Sequence, residues 1–383
     1  MTQVLVADLL TGRRILNVPF SGLSWTKERN KPDVVSCTIP MASRALRKLD
    51  LPNATTPAKS LLAVIENDTV MALGEIWSRS FDDPTKKLSL SASGVQGAHF
   101  QHRAVLPPLT DDQNVIDPTT GASAAVANTD LVGMTYGLMV KRLVQQMMSW
   151  PGGTLPIVFQ DDEIGGAYEQ HYLGANLTKM DAAVASFIGR ENGIDIDFLG
   201  RRTSDRRGVE ILLRTGTLAE PELHGISEHR WDLSVPRPSI RNLQVADDAT
   251  NMTGQAWTTG GRQDGTAVVS RAMNTALTDV GYPLMESVDS SHPDVSDPAT
   301  LLAYSQDAIA DGAAPGNTWS FEARADRNPR VGAYWPGDFV NVIVPRDHPW
   351  IPKAGVHRRE IRSTSGDQDG KWIKVILDET TNA

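Results

Sequence analysis

Residues 23–40 read LSWTKERNKPDVVSCTIP, and this stretch decides how the first hundred residues fold. Leu23 and Trp25 alternate with Ser24 and Thr26, the polar run Asn30 to Asp33 turns the chain, and Val35, Cys37 and Ile39 resume the same period. A period of two puts apolar side chains on one face of an extended chain, so two strands joined by a turn are predicted. The pattern continues in both directions. Upstream, Val4, Val6 and Asp8 alternate with Leu5 and Ala7, and Thr11-Gly12 turns into Ile15 to Phe20. Downstream, Leu61 to Ile65 meets an Asn67-Asp68 turn, and a strand resumes at Val70 and runs through Trp77 towards Phe81. Asp82-Asp83-Pro84 turns again, and Leu88, Leu90 and Ala92 alternate with serines. One short helix, around Ala42 to Leu49, interrupts the series. Closely spaced antiparallel strands of this kind favour a small barrel or sandwich.

Composition changes after Arg103. Pro107-Pro108 and the polar run Thr110 to Asn128 read as a linker or long loop. Asp130 is placed as the cap of a helix carrying Tyr136, Val140, Leu143 and Met147 on one face, ended by Trp150-Pro151-Gly152-Gly153. A second helix is predicted from Thr178, with Asp181 completing a capping box and Met180, Ala183, Val184, Phe187 and Ile188 as its buried stripe. Asn192-Gly193 stops it, and strands follow at Ile194 to Phe198 and Val209 to Leu213, making an α/β or α+β unit. Strands return near Ser227, at Leu243 to Val245 and Gln255 to Thr259, with a polar tip from Gly260-Gly261 to Gly265. Asp297-Pro298 opens a last helix with Leu301, Leu302, Ser305, Ala308 and Ile309 on one side. The end is β again: Trp319 to Ala323, then Pro336-Gly337-Asp338 into Phe339 to Val344, and a hairpin through Gly366 to Gly370 into Trp372 to Leu377. Phe339 to Val344 is apolar at nearly every position, as in a strand covered on both faces, so Val342 is expected either in the core or at a subunit interface.

The 383 residues allow two or three domains, and 40% hydrophobic with 22% charged residues is ordinary for a soluble folded chain. A net charge of -9 argues against a partner chosen for its phosphates. No run approaches the roughly eighteen apolar residues of a membrane span, and the N-terminus lacks a signal-peptide pattern. Cys37 stands alone and reads as a small core residue, which fits a chain made in a reducing cytosol.

Enzyme signatures are missing: no phosphate loop, no H-E-x-x-H, no nucleophile elbow and no paired C-x-x-C. His99 and His102 could reach one metal from a helical turn, but no third ligand stands nearby, so no metal and no cofactor are expected. Ser24 to Lys27 matches S-x-x-K, yet on a strand the two ends face opposite ways. Asp195 and Asp197 share a strand face, and Asp161, Asp162 and Glu163 cluster in a loop. A glycosidase needs two carboxylates facing across a cleft, whereas a solvated polar strand face accounts for Asp195 and Asp197. Asp367 to Gly370 starts like a calcium loop but lacks its twelfth ligand, so a hairpin turn is expected. Asn176 to Thr178 matches a glycosylation sequon, with Thr178 better used as a helix cap. Trp25, Trp257, Trp319 and Trp372 fall in strands and read as packing residues. Trp150, Trp335 and Trp350 lie near prolines in loops and are, with Val342, the interface candidates.

The order of these features resembles a known family. Val4 to Asp8 with the Gly12-Arg13 turn, Leu23 to Thr26, Val35 to Pro40, and Ala63 to Ile76 resemble the start of minor tail proteins of actinobacterial siphophages. Asp297 to Ala310, Thr318 to Ala323 and Val331 to Val340, with its Pro-Gly-Asp turn, resemble the C-terminal half of tail hub proteins. The resemblance implies an α+β, mainly β chain with two β-barrel domains, an α/β middle domain and a small helical insertion. The barrels would be residues 1–105 and 226–280 with 315–383, the middle domain 106–225, and the insertion 281–314. It further implies a homotrimeric, non-enzymatic ring at the virion tail tip, assembled in the host cytoplasm around the DNA channel. The implied partners are a distal tail protein or tail-tube ring, the tip or fibre proteins and the tape measure protein, with genomic DNA only passing through. Larger relatives carry a lytic domain, and this sequence stops soon after its last predicted strand, so none is expected. The rival readings are a polysaccharide binder acting through the loop tryptophans, and a wall-cleaving enzyme using Asp195 or Asp161 to Glu163.

Overall fold

The alternating stretch that opens the chain folds as its spacing predicts. In the computed structural model, which describes residues 2–43, 46, 48–108, 127–188, 193–226, 228–263, 265–292, 295 and 297–379, the first seven strands are antiparallel neighbours. They are β1 (Thr2–Asp8), β2 (Arg14–Val18), β3 (Gly22–Glu28), β4 (Val34–Pro40), β5 (Ser60–Glu66), β6 (Thr69–Asp82) and β7 (Lys87–Ser93), in the order β3-β4-β7-β6-β5-β1-β2. On β4 the faces alternate, with Val35, Cys37 and Ile39 buried, and burial pushes the Cys37 thiol up to about 12. Strands β1 and β5 are buried at nearly every position because both faces are covered. Leu5, Ala7, Leu61, Ala63 and Leu73 share one core with Val140, Leu143, Phe198, Ile211 and Leu213 of the middle region. The helix expected around Ala42 to Leu49 lies partly outside the described residues; the described turn is α1 (Leu51–Ala54), capped by the Asp50 side chain. Most of the expected linker also lies outside them.

The middle region contains β8 (Thr129–Met134), α2 (Tyr136–Met148), β9 (Ile157–Phe159), β10 (Tyr168–Tyr172), α3 (Met180–Ala185), β11 (Ile196–Arg202) and β12 (Val209–Thr215). Strands β11 and β12 are antiparallel, β12 and β9 parallel, and β8 pairs with β10. Two expected caps are displaced. Asp130 lies inside β8, and Thr135 caps α2 instead, its hydroxyl accepting from Leu138 N–H at 3.2 Å. Thr178 does not cap α3: Leu177 is left-handed, and the chain from Thr178 to Met180 pairs by backbone hydrogen bonds with Arg103 and Val105. Tertiary pairing has overridden the local capping signal.

The remaining elements are β13 (His229–Asp232), β14 (Ile240–Asp248), β15 (Gln255–Gln263), β16 (Thr266–Met273), α4 (Ala276–Asp279), β17 (Glu286–His292), α5 (Pro298–Asp311), β18 (Gly316–Arg324), β19 (Phe339–Val344), β20 (Gly355–Asp367) and β21 (Trp372–Glu379). The chain divides into two compact units, Met1–Asn242 with Phe321–Ile376, and Leu243–Ser320 with Leu377–Ala383. In the second, β16-β15-β17 form a sheet of their own. This differs from the expected grouping of residues 255–273 with the C-terminal strands. It also adds β17 to a segment, 281–314, expected to be helical. Helix α5, capped by Asp297 as predicted, accounts for the separation: Leu301, Ser305 and Ile309 are its buried residues, and Ser305 Oγ donates to Thr258 Oγ1 at 2.9 Å. Gly260 and Gly261 lie within β15, not at its tip.

In the first unit β20 pairs with β3, so the N-terminal and C-terminal strands share one sheet, while β13 joins β19 in parallel. Strand β19 buries Val340, Val342 and Val344 and leaves Phe339, Asn341 and Ile343 half-buried, so one face is fully covered and not both. That face belongs to a core in which Trp231 meets Phe321 and Tyr334 edge-on at 5.0 and 5.1 Å. The Pro336-Gly337-Asp338 turn that feeds it is built from backbone contacts. Gly337 has φ +97°, and a side chain there would stand 2.2 Å from Leu223 O. The buried Asp338 carboxylate accepts from Gly225 N–H at 2.6 Å and Trp335 N–H at 2.7 Å. Burial raises its pKa, and these two hydrogen bonds oppose the rise. Gly337→Val should therefore lower stability by roughly 1–3 kcal/mol through backbone strain alone, and Val342→Asp should prevent folding. Chemical unfolding measures both; a folded Val342→Asp chain with an unchanged midpoint would contradict this placement of β19.

Candidate functional site

Strand β3 points Leu23, Trp25 and Lys27 to one buried side and leaves Ser24 exposed. An ammonium at an inward position must be paired or it would lose its hydration uncompensated. Lys27 Nζ lies 3.1 Å from Asp33 Oδ1 and 3.0 Å from Asp197 Oδ1, with its side chain 5% exposed. Asp33 Oδ2 accepts from Leu73 N–H at 3.0 Å, and Arg214 Nη2 reaches Asp197 Oδ2 at 2.6 Å. Burial works against the Lys27 charge, but Asp33 and Asp197 outweigh it and raise the pKa above the ordinary lysine value. Burial likewise works against the Asp197 charge, and Lys27 with Arg214 holds its pKa below the usual range. A carboxyl depressed in this way keeps its stabilising charge at neutral pH and loses it only as pH falls through the folded value.

A second group adjoins the first. Arg29 contacts Asp195 through Nε at 2.9 Å and Nη2 at 2.9 Å, Glu222 at 3.3 Å, and Glu360 on β20. Asp195 also accepts from Asn30 Nδ2 at 2.6 Å and Leu223 N–H at 2.8 Å. Asp195 and Asp197 are thus not a solvated strand face. They are ion-pair partners that tie the β3–β4 turn to β11, β12 and the 221–223 loop. The sequence carried a signal for Lys27, whose parity matches Leu23 and Trp25; nothing local identified its partners, 170 residues away for Asp197.

Three of the other candidate carboxylates also have partners within the fold. Asp162 pairs with Arg142 at 2.7 Å, Glu163 accepts from Leu218 N–H at 2.9 Å, and Asp367 Oδ1 accepts from Asp369 N–H at 2.9 Å within its turn. His99 and His102 diverge: His99 Nδ1 lies 3.4 Å from buried Glu75, and His102 stacks on Trp77. Among the described residues no group of three ligating side chains could hold a metal. The four interface candidates do not converge. Trp150 is half-buried and donates its indole N–H to Leu106 O at 2.8 Å; Trp335 is half-buried in the Asp338 turn; Val342 is buried; Trp350 is 68% exposed.

Arg29→Leu strands the buried Asp195 charge and should cost about 2–4 kcal/mol. Trp350→Ala should change stability by less than about 0.5 kcal/mol. Urea unfolding of both variants measures the contrast, and a neutral Arg29→Leu would mean the ion pairs carry no structural role.

No family model matches the sequence, and no curated protein matches it. Solved structures do. The tail protein from Neisseria meningitidis MC58 aligns with TM-score 0.55 at 14% identity, over 98% of this chain and 96% of that one. The 43 kDa tail protein of prophage MuSo2 from Shewanella oneidensis aligns with TM-score 0.57 at 10% identity, over 98% of each. A chain of the lidded Francisella PdpA–VgrG complex aligns with TM-score 0.53 at 8% identity, over all of this chain and 53% of that one. Across nearly its whole length, the chain has the mainly β fold of phage tail proteins.

Proposed function

We propose that this chain is a structural, non-enzymatic component of a phage-like tail tip. The observation that carries the reading is the end-to-end match to two tail proteins of its own size, each covered at 96% or more. In the finer form of the proposal the chain is a homotrimeric hub ring, seated between a distal tail protein or tail-tube ring and the tip or fibre proteins. It would touch the tape measure protein and surround a lumen through which DNA passes. Two β-rich regions per chain, residues 1–105 and the C-terminal strands, would then serve as barrel-like modules that let three subunits fit a sixfold tube. The strands β15 and β16 stand with α5 in either case. Closed symmetry satisfies the same surface on every subunit, and a net charge of -9 limits adhesion of passing phosphates.

Polysaccharide binding remains as a second reading because Trp350 is exposed, a suitable platform for a sugar ring. A wall-cleaving reading is less favoured, since Asp195 and Glu163 are already engaged by Arg29 and by Leu218 N–H. Quantitative mass spectrometry of intact tails should find three copies per particle, with no fragments released when the purified chain meets isolated cell wall. Six copies or one would contradict the hub ring, and fragment release would contradict the structural role.

A further inference from the structure

Two hairpin tips of the first unit meet at a place that shares no residue with the ion pairs described above. Arg14 N–H donates to Arg207 O at 3.0 Å, and Val209 N–H donates to Gly12 O at 2.9 Å. The approach is close enough that a side chain at Gly12, where φ is +67°, would stand 2.0 Å from Val209 O. Between the tips runs an open groove of about 770 Å³ whose lining includes Thr11, Arg13, Arg14, Thr203, Arg206 and Arg207. Its carboxylates are taken: Asp205 accepts from Thr203 Oγ1 at 2.6 Å and Arg207 N–H at 2.9 Å, and Glu210 pairs with Arg201 at 2.7 Å. Arg206 pairs with Asp68 at 3.0 Å. Arg13, Arg14 and Arg207 are exposed, and no described carboxylate forms an ion pair with them. Three exposed arginines line this groove in a chain with 46 acidic and 37 basic residues, and the charge of Arg207 also acts on Asp205.

We propose that this groove docks an acidic peptide segment of a partner protein. Arg13, Arg14 and Arg207 take its carboxylates through paired N–H donors. The tips are already held by backbone hydrogen bonds, so little ordering opposes binding. A protein segment fits better than nucleic acid. Asp205 and Glu210 in the lining break the arginines into separate points of charge, with no continuous basic track for a phosphate backbone, and no aromatic side chain stands there to stack bases. The inference does not depend on the ring reading, since its readout is binding and not copy number.

The full chain would be titrated, at about 0.15 M salt, into fluorescein-labelled octaglutamate and, separately, a labelled DNA duplex of about twelve base pairs. Saturable, salt-sensitive binding of the peptide is expected. The double variant Arg14→Glu/Arg207→Glu should weaken it roughly tenfold or more, and the milder Arg13→Gln/Arg14→Gln should weaken it measurably with an unchanged unfolding midpoint. Arg346→Glu, at an exposed position outside the groove, should leave it within about twofold. Absence of peptide binding, tighter binding of the duplex, or an equal loss in Arg346→Glu would overturn the proposal.

Discussion

The Lys27 ammonium, held between Asp33 and Asp197, is the contact on which the arrangement of the first unit depends. An unpaired ammonium at that depth would cost several kilocalories per mole, so the β3–β4 turn can sit only where both carboxylates reach it. Asp33 in turn holds Leu73 N–H on β6, and Asp197 carries Arg214 of β12. Arg29, two residues further on, repeats the arrangement with Asp195 and extends it to Glu360 on β20. Apolar packing brings these strands together without direction; the ion pairs allow one register. Their geometry is that of joints: each oxygen of Asp195 and Asp197 accepts at least one protein donor.

Specific buried pairs resist sliding better than an interchangeable apolar contact. The sheet running from the N-terminal strands through β3 and β20 to the C-terminal strands adds continuous backbone hydrogen bonding to the same unit. Strands β1 and β5 are interior to the sheet, each paired on both sides, so β2 forms its N-terminal edge.

Much of this was legible in the sequence, and the limits have physical causes. Strand β19, expected to be covered on both faces, is fully covered on one, whereas β3, β4 and β7 follow the period-two pattern closely, because side-chain alternation is a local property of an extended chain. Asp297 with Pro298 marked the start of α5 for the same reason. Asp130 and Thr178 misled, since a cap residue competes with tertiary pairing: β8 needed Asp130 in a strand facing β10, and the Arg103–Val105 segment drew Thr178 away. Asp195 and Asp197 read as a wet face because Lys27 and Arg29 lie more than 160 residues upstream and Arg214 sits on the neighbouring strand. The arginine groove was invisible for a similar reason, as Arg13 and Arg207 meet only when two distant hairpins touch.

A double-mutant cycle on Lys27→Met and Asp197→Leu tests most directly whether these charges act as the joint between β3 and β11. Urea unfolding of the parent, both single variants and the double variant gives the coupling between the two side chains. The double variant is expected to lose less stability than the two single losses summed, with a coupling of about 1–3 kcal/mol. Losses that simply add, to within about 0.3 kcal/mol, would contradict it.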